Sequence, residues 1–291
     1  MTNNDWSQDE ILDLKKKCLE VRRNILDLTF YGSSSHLGGS LSSVEILTCL
    51  LFRIMSINPD LPQWGKRDRL VISKGHAAPG MYAVMAARGF FPAEELKTFG
   101  KSGTRLQKHL DMHKLPGIDA SSGSLGQGLS IAAGMALADR MDGKERFTYV
   151  LMGDGEMQEG QIWEAALTAA QHKLDKIIAF VDDNQMQVDG FTKDILNVEP
   201  LVQKWESFGW HVQRIDGSDV EQILKAAALA KSVQGKPHVI IADTIKGKGF
   251  DFMELQVEWH SRGLTEDEYR SAVNQLAAAE AVLTSQTGKG A

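Results

Sequence analysis

FTYVLMGD at 147–154, EGQIWEAALTAAQHKL at 159–174 and KIIAFVDDN at 176–184 follow one another almost without a break. The first and third are short apolar runs, and the middle one repeats its apolar residues at helical spacing, so the stretch reads strand, helix, strand. A single crossover helix makes the two strands parallel and brings their carboxyl ends to one edge of a sheet. Asp154 ends the first strand and Asn184 follows the second. Ligands of such sheets sit in the crevice beyond that edge. Asp and Gly at a strand end often only make a turn. The pairing with Asn184 is what lifts Gly153-Asp154-Gly155 above that reading.

The same alternation extends outward. Ile11, Leu14, Cys18, Val21, Ile25 and Leu28 predict a helix from about Ser7 to Tyr31. After the Ser/Gly stretch GSSSHLGGSLSS at 32–43, a second helix is expected from about Ser43 to Met55. RLVIS at 69–73 reads as a buried strand, and KGHAAPG at 74–80 leads into another helix. SSGSLGQGLSIAAGMALADRM at 121–141 is a glycine-punctuated helix, and WHVQRIDG at 210–217 and HVIIADTI at 238–245 are later strands around a helix near Glu221–Ser232. The expected fold class is α/β, a parallel sheet with helices on both faces. Residues 1–291 read as one domain with a polar tail from about 284.

Of the 291 residues, 43% are hydrophobic and 24% charged, as in a soluble globular protein. The net charge of −6 argues against nucleic acid as a partner, which needs clustered Lys and Arg. Lys15-Lys16-Lys17 lies on an amphipathic helix and reads as a solvated face. No apolar run approaches the roughly 18 residues of a membrane span, and MTNNDWSQDE at the start is unlike a secretory signal. Two cysteines, Cys18 and Cys49, form no framework, which points to a reducing, cytoplasmic setting.

At the sheet edge, one carboxylate (Asp154), one amide oxygen (Asn184) and a loop carbonyl near Met186 make a partial oxygen shell. Magnesium favours such a shell, completed by substrate phosphates. Gly155 lets an anion approach the backbone, and the helix that follows offers free N–H groups at its start.

Gly153-Asp154-Gly155 with Asp183-Asn184 resembles the thiamine diphosphate-binding motif. SSSHLGGSLS, DRLVISKGHAAPGMYA, ASSGSLGQGLSIAAGMALA and TIKGKG followed by EWH resemble transketolases, in order, from about Cys18 to Arg262. The resemblance implies a thiamine diphosphate-binding fold, the diphosphate-binding first domain of a transketolase carried on its own chain. It implies thiamine diphosphate and Mg²⁺ (or Ca²⁺ or Mn²⁺) as cofactors, and transfer of a two-carbon ketol unit from a ketose to an aldose.

Residue by residue, the resemblance gives His36, His76, His109 and His260 the lining of a channel above the cofactor's thiazolium, where imidazoles bind hydroxyls and move protons. Each taken alone reads as an ordinary loop histidine. Gly123, Ser124 and Leu125 match the loop beside the cofactor's rings, and Lys246 matches a basic residue near the cofactor; Gln187, in the loop after Asn184, is expected to help hold the diphosphate. Asp154, Asn184 and Met186 match the metal ligands, and Glu159 a carboxylate at the subunit interface. His113 is a rival to His109, and spacing to Leu115-Pro116-Gly117 favours His109. The family usually reads Gly-His-Pro where this chain has Lys108-His109-Leu110, and often has Arg where Gly100 stands, which leaves the sugar substrate open.

The glutamate that activates the pyrimidine belongs, in the family, to the next domain. A partner chain with the pyrimidine-binding and C-terminal domains is therefore expected, most simply as an α2β2 assembly acting on sugar phosphates. The alternatives are a chain like that of 1-deoxyxylulose-5-phosphate synthase, the α chain of a 2-oxoacid dehydrogenase, and a non-catalytic cofactor-binding subunit.

Overall fold

Residues along the central strands point alternately into two apolar layers. On β2 (Thr148–Gly153) Tyr149 and Leu151 face one layer while Val150 and Met152 face the other; on β3 (Ile177–Asp183) Ile178 and Phe180 oppose Ala179 and Val181. Burial on both faces is what a parallel sheet between helices demands. In the computed structural model, which describes residues 6–33 and 36–287, β1 (Arg69–Ile72), β4 (His211–Asp216) and β5 (His238–Asp243) complete a five-stranded sheet in the order β1-β2-β3-β5-β4. Every pairing is parallel.

One layer is built on α1 (Gln8–Tyr31), α2 (Leu37–Leu41), α3 (Val44–Cys49) and α4 (Ala78–Arg88). The other is built on α5 (Gln127–Met141) and α6 (Gly160–Gln171), with the aromatic Trp205 behind them. Ser7 starts α1 with a reciprocal capping box to Glu10. After β3 come α7 (Thr192–Ile195) and α8 (Leu201–Ser207); α9 (Val220–Ser232) joins the edge strand β4 to its inner neighbour β5, and α10 (Glu266–Thr287) packs on α1. Among the described residues no helix is long and apolar enough to cross a membrane.

Two expectations change in detail. The helix predicted over 43–55 is α3 followed by a π-helical turn, Leu50–Ile54, a wider winding that periodicity cannot separate from α. The stretch at 121–141 is helical only from Gln127; Gly126 takes a left-handed φ of +83° and the preceding residues form a loop. Among the described residues α10 continues to Thr287, so the polar stretch from about 284 starts within that helix.

Candidate functional site

β1, β2, β3 and β5 all deliver their carboxyl ends to one edge, and the polar residues there form a single buried network. Asp182, the next-to-last residue of β3, is its hub. It accepts hydrogen bonds from Ser42 Oγ at 2.6 Å, Asn184 Nδ2 at 3.0 Å, and also from Lys74 Nζ and Thr244 Oγ1. Lys74 donates a further bond to Gly39 O at 2.9 Å. Burial works to raise the Asp182 pKa, but Lys74 and the hydroxyl donors hold it below the usual carboxylate range.

Asp154 and Asn184 stand on either side of this hub. Asp154 is buried, its Oδ2 accepting from Thr192 Oγ1 at 2.6 Å, and burial together with the nearby Asp182 pushes its pKa up to about 6. Asn184 Oδ1 accepts from Met186 N at 3.2 Å, which folds the loop after β3 back on itself. Gln187 Oε1 accepts from Gln158 Nε2 at 2.6 Å, and a Cβ on Gly155 would come within 3.2 Å of Gln187 Cβ. Gly155 thus keeps the floor bare between the two loops. The N–H groups expected from a helix after Gly155 belong instead to a 3₁₀ turn, Gly155–Gln158, ahead of α6.

This donor set fits a hard divalent cation held jointly with a diphosphate. It offers one carboxylate and one amide oxygen without sulfur or imidazole. Among the described residues no cluster of three or more His, Cys, Asp or Glu side chains is placed to hold a metal unaided. A carboxylate left high in pKa by burial is one that a cation would discharge.

Four histidines from four separate segments meet above this floor. The ring of His36 lies 5.3 Å from His76, 5.2 Å from His260 and 6.2 Å from His109; His76 and His260 are 5.4 Å apart. The glycines of LGGS make this possible. A Cβ on Gly39 would sit 3.3 Å from His76 Nε2, and one on Gly38 would meet Lys246 Cγ at 2.9 Å. Lys246 is buried, with Nζ 2.9 Å from His260 Nδ1 and 3.4 Å from Gln187 O. A protonated Lys246 donates to His260 Nδ1, so the remaining imidazole proton is on Nε2. Burial and neighbouring cations drive His36 and His260 down to about 4 and His76 well below its ordinary value, while burial lowers Lys246 to about 8. At neutral pH these three rings are uncharged donors and acceptors.

His109 is exposed at the rim, and its ring also lies 3.6 Å from the place of a Cβ on Gly123. His113 is exposed and makes no ring contact with the group. Gly123 and Ser124 are exposed and line a cavity of about 340 Å³ with Ser73 and Gln127; Leu125 is half-buried beside them. Glu159 is exposed just before α6, its Cβ 2.8 Å from the place of a Cβ on Gly126.

Sequence reasoning missed Lys74, Asp182, Thr192 and Glu156. Buried Glu156 accepts from Gly126 N at 2.8 Å, Gly153 N at 3.1 Å and Ser73 Oγ, tying the loop before α5 to the ends of β1 and β2. The available signal was a charged residue inside an otherwise buried stretch, which must find a partner.

Residues 15–282 match the family model of the transketolase thiamine diphosphate binding domain. The chain is 48% identical over 268 residues to the 6-deoxy-6-sulfo-D-fructose transketolase subunit of Clostridium sp. (strain MSTE9), covering 92% of this chain and 98% of that one. It is 43% identical over 267 residues to one subunit of the apulose-4-phosphate transketolase of Actinobacillus succinogenes, covering 91% and 96%. The solved transketolase from Leishmania mexicana superposes with a TM-score of 0.86 at 30% identity, over 91% of this chain and 41% of that one.

Proposed function

The chain belongs to the transketolase family, and from that membership we propose that it is the thiamine diphosphate-binding subunit of a two-chain transketolase. The observation that carries the proposal is the meeting of four imidazoles above the Asp154–Asn184 floor, in a chain whose similar relatives are themselves named transketolase subunits. The synthase-like and dehydrogenase-like readings give way because the matched model is the transketolase one. Residues 1–291 act as one diphosphate-binding domain in the cytoplasm, and the partner brings the pyrimidine-binding and C-terminal domains, most simply as α2β2.

Thiamine diphosphate, when bound, supplies the nucleophilic carbon and the electron sink for transfer of a two-carbon ketol unit. Asp154, Asn184 and the Met186 carbonyl hold the divalent cation on its diphosphate. Gly155 leaves the anion its space, and Lys246 and Gln187 flank it. Gly123, Ser124 and Leu125 wall the cofactor's rings. His36, His76 and His260, neutral and close together, bind the sugar's hydroxyls and pass protons; His109 does so from the rim. Glu159 faces the partner. The donor is a ketose with a terminal anion, sulfonate or phosphate, as the two relatives' names indicate for their own substrates.

The test is to assay the chain alone and then mixed with a pyrimidine-binding partner chain, using a ketose donor and an aldose acceptor. Turnover only on mixing, saturating near equal stoichiometry, is expected. Robust turnover by the lone chain would overturn the two-chain reading.

A further inference from the structure

The charges that act most strongly on His36, His76 and His260 are all positive: Lys74, Lys108, Lys246 and the other imidazoles. Two of these cations are committed inward. Lys74 is buried on Asp182, and Lys246 is buried between His260 and the Gln187 carbonyl. Lys108 is different. It is exposed, and among the described residues it makes no ion pair.

Its position is built by the backbone. Gly100 takes a left-handed φ of +67°, and the place of its missing Cβ lies 2.7 Å from Ser33 Cβ and 3.5 Å from Lys108 Cε. A Cβ at position 100 would crowd Ser33 and reach van der Waals contact with the end of Lys108. With glycine there, the lysine stem lies over Gly100 next to Ser33. Its neighbour in the chain, His109, stands 6.2 Å from the His36 ring. A lysine with no counter-charge among the described residues thus sits at the mouth of the histidine channel. A cleft of one sign raises the local concentration of oppositely charged substrate.

Resting on the transketolase reading above, we propose that Lys108 binds the terminal anionic group, phosphate or sulfonate, of the ketose that enters among the four histidines, and so sets the preference for charged over uncharged sugars. Lysine is a compact point charge with three rotatable donors, which suits either tetrahedral anion without demanding a fixed bidentate geometry. His109 and the sugar's reactive end lie inward of it, and Lys108 touches only the far end.

The experiment uses the assembled two-chain enzyme with fructose 6-phosphate, 6-deoxy-6-sulfofructose and uncharged erythrulose as donors and one aldose acceptor throughout. In Lys108→Met, the ratio of kcat/KM for the charged donors to that for erythrulose should fall roughly tenfold, the size of one lost hydrogen bond between charged groups. The loss should lie in KM, and Lys108→Arg should recover most of it. Whichever charged donor loses more identifies the anion the lysine serves. An unchanged ratio in Lys108→Met, or an equal loss for erythrulose, would overturn the assignment while leaving the transketolase reading intact. No turnover of any ketose by the wild-type complex would overturn both.

Discussion

Lys74→Met tests the buried frame on which the site stands. The Lys74 and Asp182 side chains are 1% and 0% exposed, so neither charge is relieved by water. Removing the lysine leaves Asp182 as a buried anion with Ser42, Ser43, Thr244 and Asn184 as donors, while Gly39 O keeps the Ser43 and Ser42 hydroxyls. Breaking one side of such a pair costs about 3–5 kcal/mol. The four surviving donors place the expected value near the lower end, about 3 kcal/mol. In a chain of this size that corresponds to a fall in melting temperature of roughly 6 °C. Thermal and urea melts of wild type, Lys74→Met, Asp182→Asn and the double variant form the assay. The double variant no longer buries an unpaired charge, so it should be at least about 2 kcal/mol more stable than the sum of the single losses implies. Strict additivity of the two losses would show that the pair is not the coupled unit described here.

Asp154→Ala should abolish Mg²⁺-dependent thiamine diphosphate binding by the assembled enzyme while largely sparing the fold, and calorimetric titration giving equal affinities would remove Asp154 from the metal site. His109→Ala should lower turnover by about 10²-fold while His113→Ala does much less; the reverse order would move the channel residue four positions along the chain, to His113. Glu156→Gln places an amide N–H₂ among three donors, so circular dichroism melts should show a loss of about 1–3 kcal/mol, and an unchanged melt would deny the clamp on Gly126 and Gly153. His238, buried with Nε2 3.1 Å from Val233 O and its ring 5.3 Å from His211, is held down to about 4, first by burial and then by His211. The unfolded chain takes up that proton near pH 6.5, so stability should fall as pH drops from about 6.5 towards 4, by about 1–2 kcal/mol at pH 5 after solvent screening. A urea midpoint whose change between pH 7.5 and pH 5 is the same in His238→Gln as in wild type would refute it.

Much of the fold was legible because its signals are local. The alternation of short apolar runs with amphipathic segments is repeated along the chain, and in β2 and β3 each run is apolar on both faces, which only a covered parallel sheet requires. Asp154 and Asn184 were legible for a related reason: a crossover helix fixes the direction of its second strand, so two strand ends a βαβ unit apart must share an edge. The π-helical turn at Leu50–Ile54 was not, since it differs from an α-turn by one residue per hydrogen bond and leaves the apolar spacing nearly unchanged.

The histidines mark where local reading ends. His36, His76, His109 and His260 lie on four segments spread over more than two hundred residues, and nothing in their immediate sequence says that their rings meet. Only a family pattern joined them. The frame beneath them was hidden differently. Asp182 sits in KIIAFVDDN, one residue before the motif position that drew notice, and its strand is buried throughout. A carboxylate in that setting must be neutralised or heavily hydrogen-bonded, so its need for a cation was readable from the strand alone. Which cation was not: Lys74 is 108 residues away and reaches Asp182 only because β1 and β3 flank β2 in the sheet. Sequence thus discloses the demand of each buried polar group, and the order of the strands decides which residue answers it.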